Sequence, residues 1–271
     1  MSLDFIAVAP HAPELLPSAS EDHKLKTDIT RQSLDSLRAK IQAIKPEIVA
    51  VVQPPRPENH NLDTLVFANS DQLSGNLAAF GDEETALVFH NHQDLVEEIR
   101  RNAKSLGIPT TTQHETSISP FTFITLMIIG CCQKTDDLPQ IIMMEHSENN
   151  FSEHWLAGEM LGHTLHARPE KIALIASTDL ANKMPAASAE YLEQSEHFDI
   201  TIIEALRDNN PAAIRNLDST WAKKIGETGL RALCVAWAAA KVSDPDIKPH
   251  LLSYESPFGT GYLTVDLSPH K

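Results

Sequence analysis

Residues 5–17, FIAVAPHAPELLP, place a histidine directly after a short apolar run. The run from Phe5 to Ala9 is bounded by Pro10, and such a run is typical of a central strand that is buried on both faces of a parallel sheet. His11 follows the carboxyl end of this strand, and open α/β sheets bind their ligands beyond the carboxyl ends of their strands. The opening therefore predicts an α/β fold and makes His11 a candidate site residue.

Strand and helix candidates alternate along the rest of the chain. The strand candidates are residues 5–9, 48–52, 86–89, 140–144, 172–177 and 261–265, and the helix candidates are residues 20–43, 93–105, 150–166, 187–208, 211–217 and 229–241. Apolar β-branched runs between amphipathic helices indicate a mainly parallel central sheet with helices on both faces. No repeat or low-complexity linker interrupts the alternation, so we predict a single domain over residues 1–271.

Charge and cysteine content limit the class of protein. The 271 residues carry a formal net charge of −15, whereas binding to nucleic acid needs clustered Lys and Arg. Nucleic acid and anionic membrane surfaces are therefore excluded as expected partners. The longest uncharged stretch, residues 116–133, is too polar and too short to supply the roughly 20 apolar residues that span a bilayer. Three cysteines and the absence of a basic leader predict a cytoplasmic location.

Three later strings carry a family resemblance. They are IALIASTDL (172–180), GETGLRAL (226–233) and YESPFGTGYL (254–263). Together with the opening, in this order and over nearly the whole chain, they resemble the LigB-type family, the catalytic B subunit of class III extradiol ring-cleavage dioxygenases and its Memo-like relatives. The resemblance implies a LigB-like fold. It also implies a non-haem Fe(II) ion held by two histidines and one glutamate, with a further histidine as acid/base beside the substrate.

The resemblance implies a metal site that this sequence matches only in part. His11 and Glu227 stand at ligand positions, but the string VAVVQPPRP (49–57) has Pro55 where the second histidine is expected. His60 is the candidate replacement, because a loop could fold it back towards the site. Two alternatives stay open: His60 is an ordinary loop histidine, or Glu227 is an acid in the first turn of a helix, where the helix dipole favours it.

The acid/base position is also altered. The string Asp179-Leu180-Ala181-Asn182 stands where the family has Asp-Leu-Ser-His, so Asn182 replaces the acid/base histidine. An asparagine amide can hydrogen-bond a substrate hydroxyl but cannot take its proton near neutral pH. His114 matches a histidine that lines the family's pocket, with an ordinary surface or core histidine as the alternative. We expect His11, His114 and Asn182 to line one cavity, with residues 53–56 at its wall.

Further residues are candidates for contact with a ligand. Gln53, Arg56 and Asp179 are predicted to bind substrate, and the guanidinium of Arg56 would suit a carboxylate group. His146, at the end of the strand candidate 140–144, could face the same crevice. Ser177 lacks the G-x-S-x-G turn of a serine nucleophile, and the chain has no phosphate loop or dinucleotide-binding glycine pattern.

Two functions therefore compete. The first is a family member with a degenerate metal and acid/base site and weak or no ring cleavage, which needs no cofactor. The second is an active non-haem Fe(II) dioxygenase that opens a small aromatic diol through His11, Glu227 and a relocated third ligand. Pro55 and Asn182 favour the first function. The expected partner is a small aromatic or carboxylate ligand, and a homodimer is left open.

Overall fold

The computed structural model describes residues 3–59, 61–131, 138–182 and 188–269. In these ranges the strands are β1 (Leu3–Ala9), β2 (Ile48–Gln53), β3 (Leu65–Ala68), β4 (Gln72–Leu77), β5 (Asp82–His90), β6 (Thr110–Gln113), β7 (Gln140–Glu145), β8 (Ile172–Ser177), β9 (His250–Glu255) and β10 (Tyr262–Asp266). The helices are α1 (Glu21–Lys26), α2 (Asp28–Ile44), α3 (Gln93–Ser105), α4 (Pro120–Ile128), α5 (Phe151–His166), α6 (Ala189–Arg207), α7 (Pro211–Arg215), α8 (Ser219–Lys224) and α9 (Leu230–Ser243).

A central sheet of eight strands has the order β6-β3-β7-β2-β8-β1-β10-β9. Its four middle strands, β7, β2, β8 and β1, are parallel to one another. β10 and β3 run antiparallel to their inner neighbours. The predicted α/β class with a mainly parallel sheet is therefore confirmed.

The remaining strands show where local pattern was insufficient. The predicted strand 86–89 lies inside β5, which pairs only with β4 in a separate two-stranded sheet. β6 has the polar sequence TTTQ and lies at an edge of the central sheet, where an apolar run is not required. The predicted helix 20–43 is divided into α1 and α2 by Thr27, whose backbone is not helical. α4 forms within the uncharged stretch 116–133.

Helices cover both faces of the central sheet. Alternate residues of β1 point to opposite sides, as the two-residue period of a strand requires. Ile6 and Val8 join the core that contains α5 and α9, whereas Phe5 and Ala7 join the core that contains α2 and α4. Within the part of the chain that the structure describes, no helix is long and apolar enough to cross a membrane.

The four parallel strands end at one edge of the sheet. β1 leads there to Pro10 and His11, while Gln53, Glu145 and Ser177 are the last residues of β2, β7 and β8. Hydrogen bonds join the side chains of Gln53 and Ser177 to α4. The space between this sheet edge and α4 is therefore polar.

α5 packs closely against α9 on the other face. A Cβ at Gly158 of α5 would lie 2.7 Å from the Ala238 Cβ and 2.8 Å from the Val235 Cα. Real Cβ atoms do not approach other atoms this closely, so the contact between the two helices needs glycine at this position. This packing holds α9, and with it the segment before α9, against the sheet.

We predict that Gly158→Ala destabilises the protein. Overpacking a core costs about 1–3 kcal/mol, which exceeds the gain of about 1 kcal/mol from the better helix propensity of alanine. Urea denaturation followed by circular dichroism measures the free energy of unfolding. His163→Ala, on the exposed face of the same helix, is the control and should change stability by no more than about 0.5 kcal/mol. An unchanged or raised stability of Gly158→Ala would contradict the described packing.

Candidate ligand site at the carboxyl edge of the sheet

His11 is held by two side chains that follow β8. Its Nδ1 lies 3.2 Å from the Ser177 Oγ, and its Nε2 lies 3.2 Å from the Asp179 Oδ2. The ring of Phe121 from α4 packs edge-on against the imidazole, with 5.8 Å between the ring centroids. Both ring nitrogens of His11 therefore face oxygen atoms of the protein.

The hydroxyl groups around His11 indicate its protonation. Thr125 donates to the Pro10 carbonyl at 3.1 Å, because a carbonyl can only accept. The Ser177 Oγ lies 2.9 Å from the Thr125 Oγ1 and donates to it, so it accepts from the Nδ1–H of His11. The contact between Nε2 and Asp179 then needs a proton on one of the two groups. Burial raises the pKa of Asp179, and the positive charge of His11 opposes this rise. The two residues therefore share one proton.

A cavity of about 240 Å³ opens beside His11, and we call it the His11 cavity. It is lined by His11, Ala12, Pro13, Glu14, Phe121, Asp179, Phe258, Thr260 and Tyr262. The Tyr262 hydroxyl donates to the Glu14 Oε2 at 3.2 Å. Burial and the neighbouring carboxylates of Glu14 and Asp179 raise the pKa of Tyr262, so its hydroxyl stays protonated. The cavity combines aromatic walls with carboxylates.

Glu227 faces a different cavity, of about 210 Å³, which we call the Glu227 cavity. It is lined by Pro54, Pro55, His146, Glu148, Lys223, Glu227, Thr228 and Arg231. The Oε1 of Glu227 accepts a hydrogen bond from the backbone N–H of Leu230, whereas its buried Oε2 accepts none from the described residues. Burial raises the pKa of Glu227 to about 7, although the Leu230 N–H and Arg231 oppose the rise.

The start of α9 packs against the segment that follows β8. A Cβ at Gly229 would lie 2.6 Å from the Thr178 Cα and 2.8 Å from the Asp179 nitrogen. The backbone at Gly229 therefore rests directly on the backbone that follows β8. Glu227, two residues before Gly229, lines the Glu227 cavity, whereas the Asp179 side chain contacts His11.

Arg56 is surrounded by carboxylates. Its Nε lies 2.5 Å from the Glu145 Oε1, and its guanidinium also contacts Glu115. Gln53 and Asn59 donate further hydrogen bonds to Glu145, at 3.3 Å and 2.7 Å. The positive charge of Arg56 is therefore compensated within the protein, which does not favour a carboxylate ligand at this position.

The other predicted site residues lie elsewhere. The His114 Nδ1 lies 3.2 Å from the Ser70 Oγ. Asn182 is exposed, its backbone N–H donates to the Ile225 carbonyl at 3.0 Å, and it pairs with Thr260. Neither His114 nor Asn182 is among the residues that line the His11 or the Glu227 cavity. His60 lies outside the described residues.

This arrangement differs from the single cavity expected from the sequence. His11 and Asp179 share one cavity, and Pro55 shares the other with Glu227. The contact of α9 with the segment after β8 is the physical reason. Sequence reasoning also missed Glu14 as a site residue, although Glu14 lies in the same opening string as His11.

His146, which lines the Glu227 cavity, forms a buried pair with His154. The His146 Nε2 lies 3.1 Å from the Thr228 carbonyl oxygen, and the His154 Nε2 lies 3.2 Å from the Ser147 Oγ. The two imidazole rings meet edge to face, with 5.7 Å between centroids. Burial lowers the pKa of His146 to about 4 and that of His154 to about 3. Both rings are therefore neutral at pH 7.

The described donor set does not fit the iron site that the resemblance implies. Such a site needs two imidazoles and a carboxylate on one face. His11 and Glu227 line different cavities, and Pro55 offers no donor atom. Within residues 3–59, 61–131, 138–182 and 188–269, no group of three or more His, Cys, Asp or Glu side chains is arranged to hold a metal ion.

Comparison with known proteins identifies relatives over almost the whole chain. The family profile described as "Catalytic LigB subunit of aromatic ring-opening dioxygenase" matches residues 5–264. "Protein CA_C1420" of Clostridium acetobutylicum is 22% identical over 277 residues, which cover 98% of this chain and 58% of that protein. The chain thus spans little more than half the length of this curated relative.

A solved structure shares the fold. The crystal structure of "uncharacterized protein JW3007" from Escherichia coli K12 superposes with a TM-score of 0.60 at 13% sequence identity. The match covers 96% of this chain and 99% of that protein's chain. At this identity the similarity concerns the fold alone.

We predict that the buried histidine pair makes the protein less stable in acid. A histidine whose folded pKa lies below its unfolded value of 6.5 binds its proton first in the unfolded chain. Its stabilising effect is therefore complete above pH 6.5 and is lost as the pH falls towards 4. His154→Gln should remove part of this pH dependence. Between pH 7 and pH 4, the free energy of unfolding of the wild type should therefore fall by about 2–3 kcal/mol more than that of the variant.

The control for this experiment is His163→Gln, which changes an exposed histidine on the same helix. Urea denaturation at several pH values should give this variant the wild-type pH dependence. If His154→Gln kept the full wild-type dependence, His154 would not be a buried neutral histidine.

Proposed function

The chain belongs to the LigB family, the catalytic LigB subunits of aromatic ring-opening dioxygenases, and we propose that it binds a small ligand in the His11 cavity and opens aromatic rings weakly or not at all. On this proposal the fold of the family is retained while the iron site is lost. The site needs no cofactor, and we place the protein in the cytoplasm.

One observation carries the proposal: among the described residues, no group of three or more His, Cys, Asp or Glu side chains could hold a metal ion, and His11 and Glu227 line different cavities. In this family the implied iron ligands must converge on one ion, and a ligand set divided by the backbone after β8 cannot do so without rearrangement. Pro55 supplies no third donor to either cavity. The separation therefore supports loss of the iron-dependent reaction.

The environment of His11 supports a role in binding a small ligand and not in coordinating iron. A metal-ligating imidazole must present one nitrogen to the metal. Both nitrogens of His11 face protein oxygens, from Ser177 on one side and Asp179 on the other. The ring therefore forms part of a fixed cavity wall. Asn182, in place of the acid/base histidine, also lacks a group that could take a proton from a catechol near neutral pH.

The competing function is an active Fe(II) dioxygenase with a relocated third ligand. Membership of the family favours it, and His60 is its candidate ligand. It requires His11 and Glu227 to approach each other, which the described contact between Gly229 and Thr178 opposes. Metal analysis and an activity assay decide between the two functions.

We predict substoichiometric iron and no ring opening. Protein purified anaerobically, incubated with Fe(II) and desalted should retain far less than one iron per chain by elemental analysis. Oxygen uptake with catechol or protocatechuate should not exceed that of an iron-only blank. Stoichiometric iron that is lost in His11→Ala, together with oxygen uptake, would establish the dioxygenase and refute our proposal.

We also predict that Pro55→His creates metal affinity in the Glu227 cavity. An imidazole there would join the Glu227 carboxylate, so Zn²⁺ should bind at least roughly tenfold tighter than to wild type, a gain of about 1.4 kcal/mol. Isothermal titration calorimetry measures this change. Asn182→His alone should give no gain, and Glu227→Gln added to Pro55→His should abolish it. An equal gain from Asn182→His would contradict the assignment of Asn182 outside the lining of this cavity.

A further inference from the structure

We infer that the His11 cavity selects a ligand with a protonated amine attached to a small aromatic or apolar group. The inference rests on the proposed function, because it names the class of ligand for that site. It keeps the small aromatic ligand expected from the sequence and replaces the alternative, a carboxylate ligand, with one of opposite charge.

The side chains that line the His11 cavity carry a net negative charge. Glu14 and Asp179 are its carboxylates, and none of the described residues that line it is Lys or Arg. Asp179 shares a proton with His11, so this pair has no net charge. Glu14 is therefore the one uncompensated charge of the described lining.

The carboxylate of Glu14 has one oxygen atom that can still accept a hydrogen bond from a ligand. Its Oε2 accepts from the Tyr262 hydroxyl, which is neutral and leaves the negative charge in place. Its Oε1 accepts no hydrogen bond from the described residues. The Arg31 guanidinium donates to the backbone carbonyls of Glu14 and Leu16 at 2.7 and 3.3 Å, not to the carboxylate. A ligand ammonium would supply the missing charge-assisted donor.

The rings of Phe121 and Phe258 form aromatic walls of the cavity. Phe121 is 47% exposed although it is a large apolar residue, and it packs edge-on against His11 and Phe80. Phe258 lines the cavity as well, with His23 against its ring and Lys26 5.8 Å from the ring centroid. Phenyl faces attract both apolar groups and organic cations.

The volume of the His11 cavity limits the size of the ligand. A volume of about 240 Å³ is below the range of drug-sized pockets, which is about 300–1,000 Å³. Since a water molecule takes about 30 Å³ in the liquid, the cavity has room for roughly eight water molecules, or for a ligand with about as many non-hydrogen atoms. A phenyl ring with a short aminoalkyl chain fits this limit.

The Glu227 cavity provides an internal contrast. Lys223 and Arg231 line it beside Glu148 and Glu227, so its lining has as many cationic as acidic side chains. A simple cation has no preference for that cavity. An amine preference that is lost in Glu14→Gln would therefore point to the His11 cavity and not to the Glu227 cavity.

The experiment uses three ligands of nearly equal shape and different charge: phenethylamine, 2-phenylethanol and phenylacetate. Titration calorimetry at pH 7 and low salt should detect binding of the amine, roughly tenfold weaker binding of the alcohol, and no binding of the carboxylate. Added salt should weaken binding of the amine more than that of the alcohol, because salt screens an ion pair.

Variants locate the site. Glu14→Gln should remove the preference for the amine and leave the weaker affinity for the alcohol, and Phe121→Ala should weaken both. Glu83→Gln, an exposed carboxylate on the β4–β5 hairpin, should bind like wild type. The three-ligand series on wild type tests the charge preference even if a cavity variant fails to fold.

The outcomes separate this inference from the proposed function. Equal or tighter binding of phenylacetate, an amine preference that survives in Glu14→Gln, or no binding of any of the three would overturn the inference. None of these results bears on ring opening, which the iron and oxygen-uptake measurements test independently. Stoichiometric iron and oxygen uptake would instead overturn the proposed function.

Discussion

The contact between Gly229 and the backbone after β8 is the constraint on which the rest of the site depends. Its approach is so close that a Cβ would overlap Thr178. α9 is held in this place by α5, where Gly158 permits a second close approach. Two glycines thus set how far α9 reaches towards the carboxyl edge of the sheet. The strand ends of a parallel sheet share one edge, yet here that edge is divided into two cavities.

The buried polar groups at this edge are organised as local networks. Glu145 is paired with Arg56 and receives hydrogen bonds from Gln53 and Asn59. A buried carboxylate is costly unless it is paired in this way. The space over β2 and β7 is therefore filled by groups that the protein needs for its own stability. In the described part of the chain, the cavities at this edge lie beside His11 and beside Glu227.

Members of one fold family can differ in chemistry, because the fold is set by the core and the reaction by a few side chains at its edge. The parallel strands and helices of the LigB family are present here. At the edge, Pro55 and Asn182 stand where the resemblance implies histidines. His11 lies 3.2 Å from Asp179 and shares a proton with it. The edge beside His11 thus presents a wall of aromatic and acidic groups.

The sequence by itself determined the α/β class, the strands β1, β2, β7, β8 and β10, and the position of His11 at a strand end. These features depend on runs of apolar residues, which report burial locally. It did not determine the edge strand β6, whose residues are polar and partly buried, or the pairing of β4 with β5 in a separate sheet. Only the tertiary structure decided that His11 meets Ser177 and Asp179, which lie 166 and 168 positions away along the chain. Such contacts depend on the order of the strands and on how closely α9 approaches the sheet, and no local pattern encodes either distance.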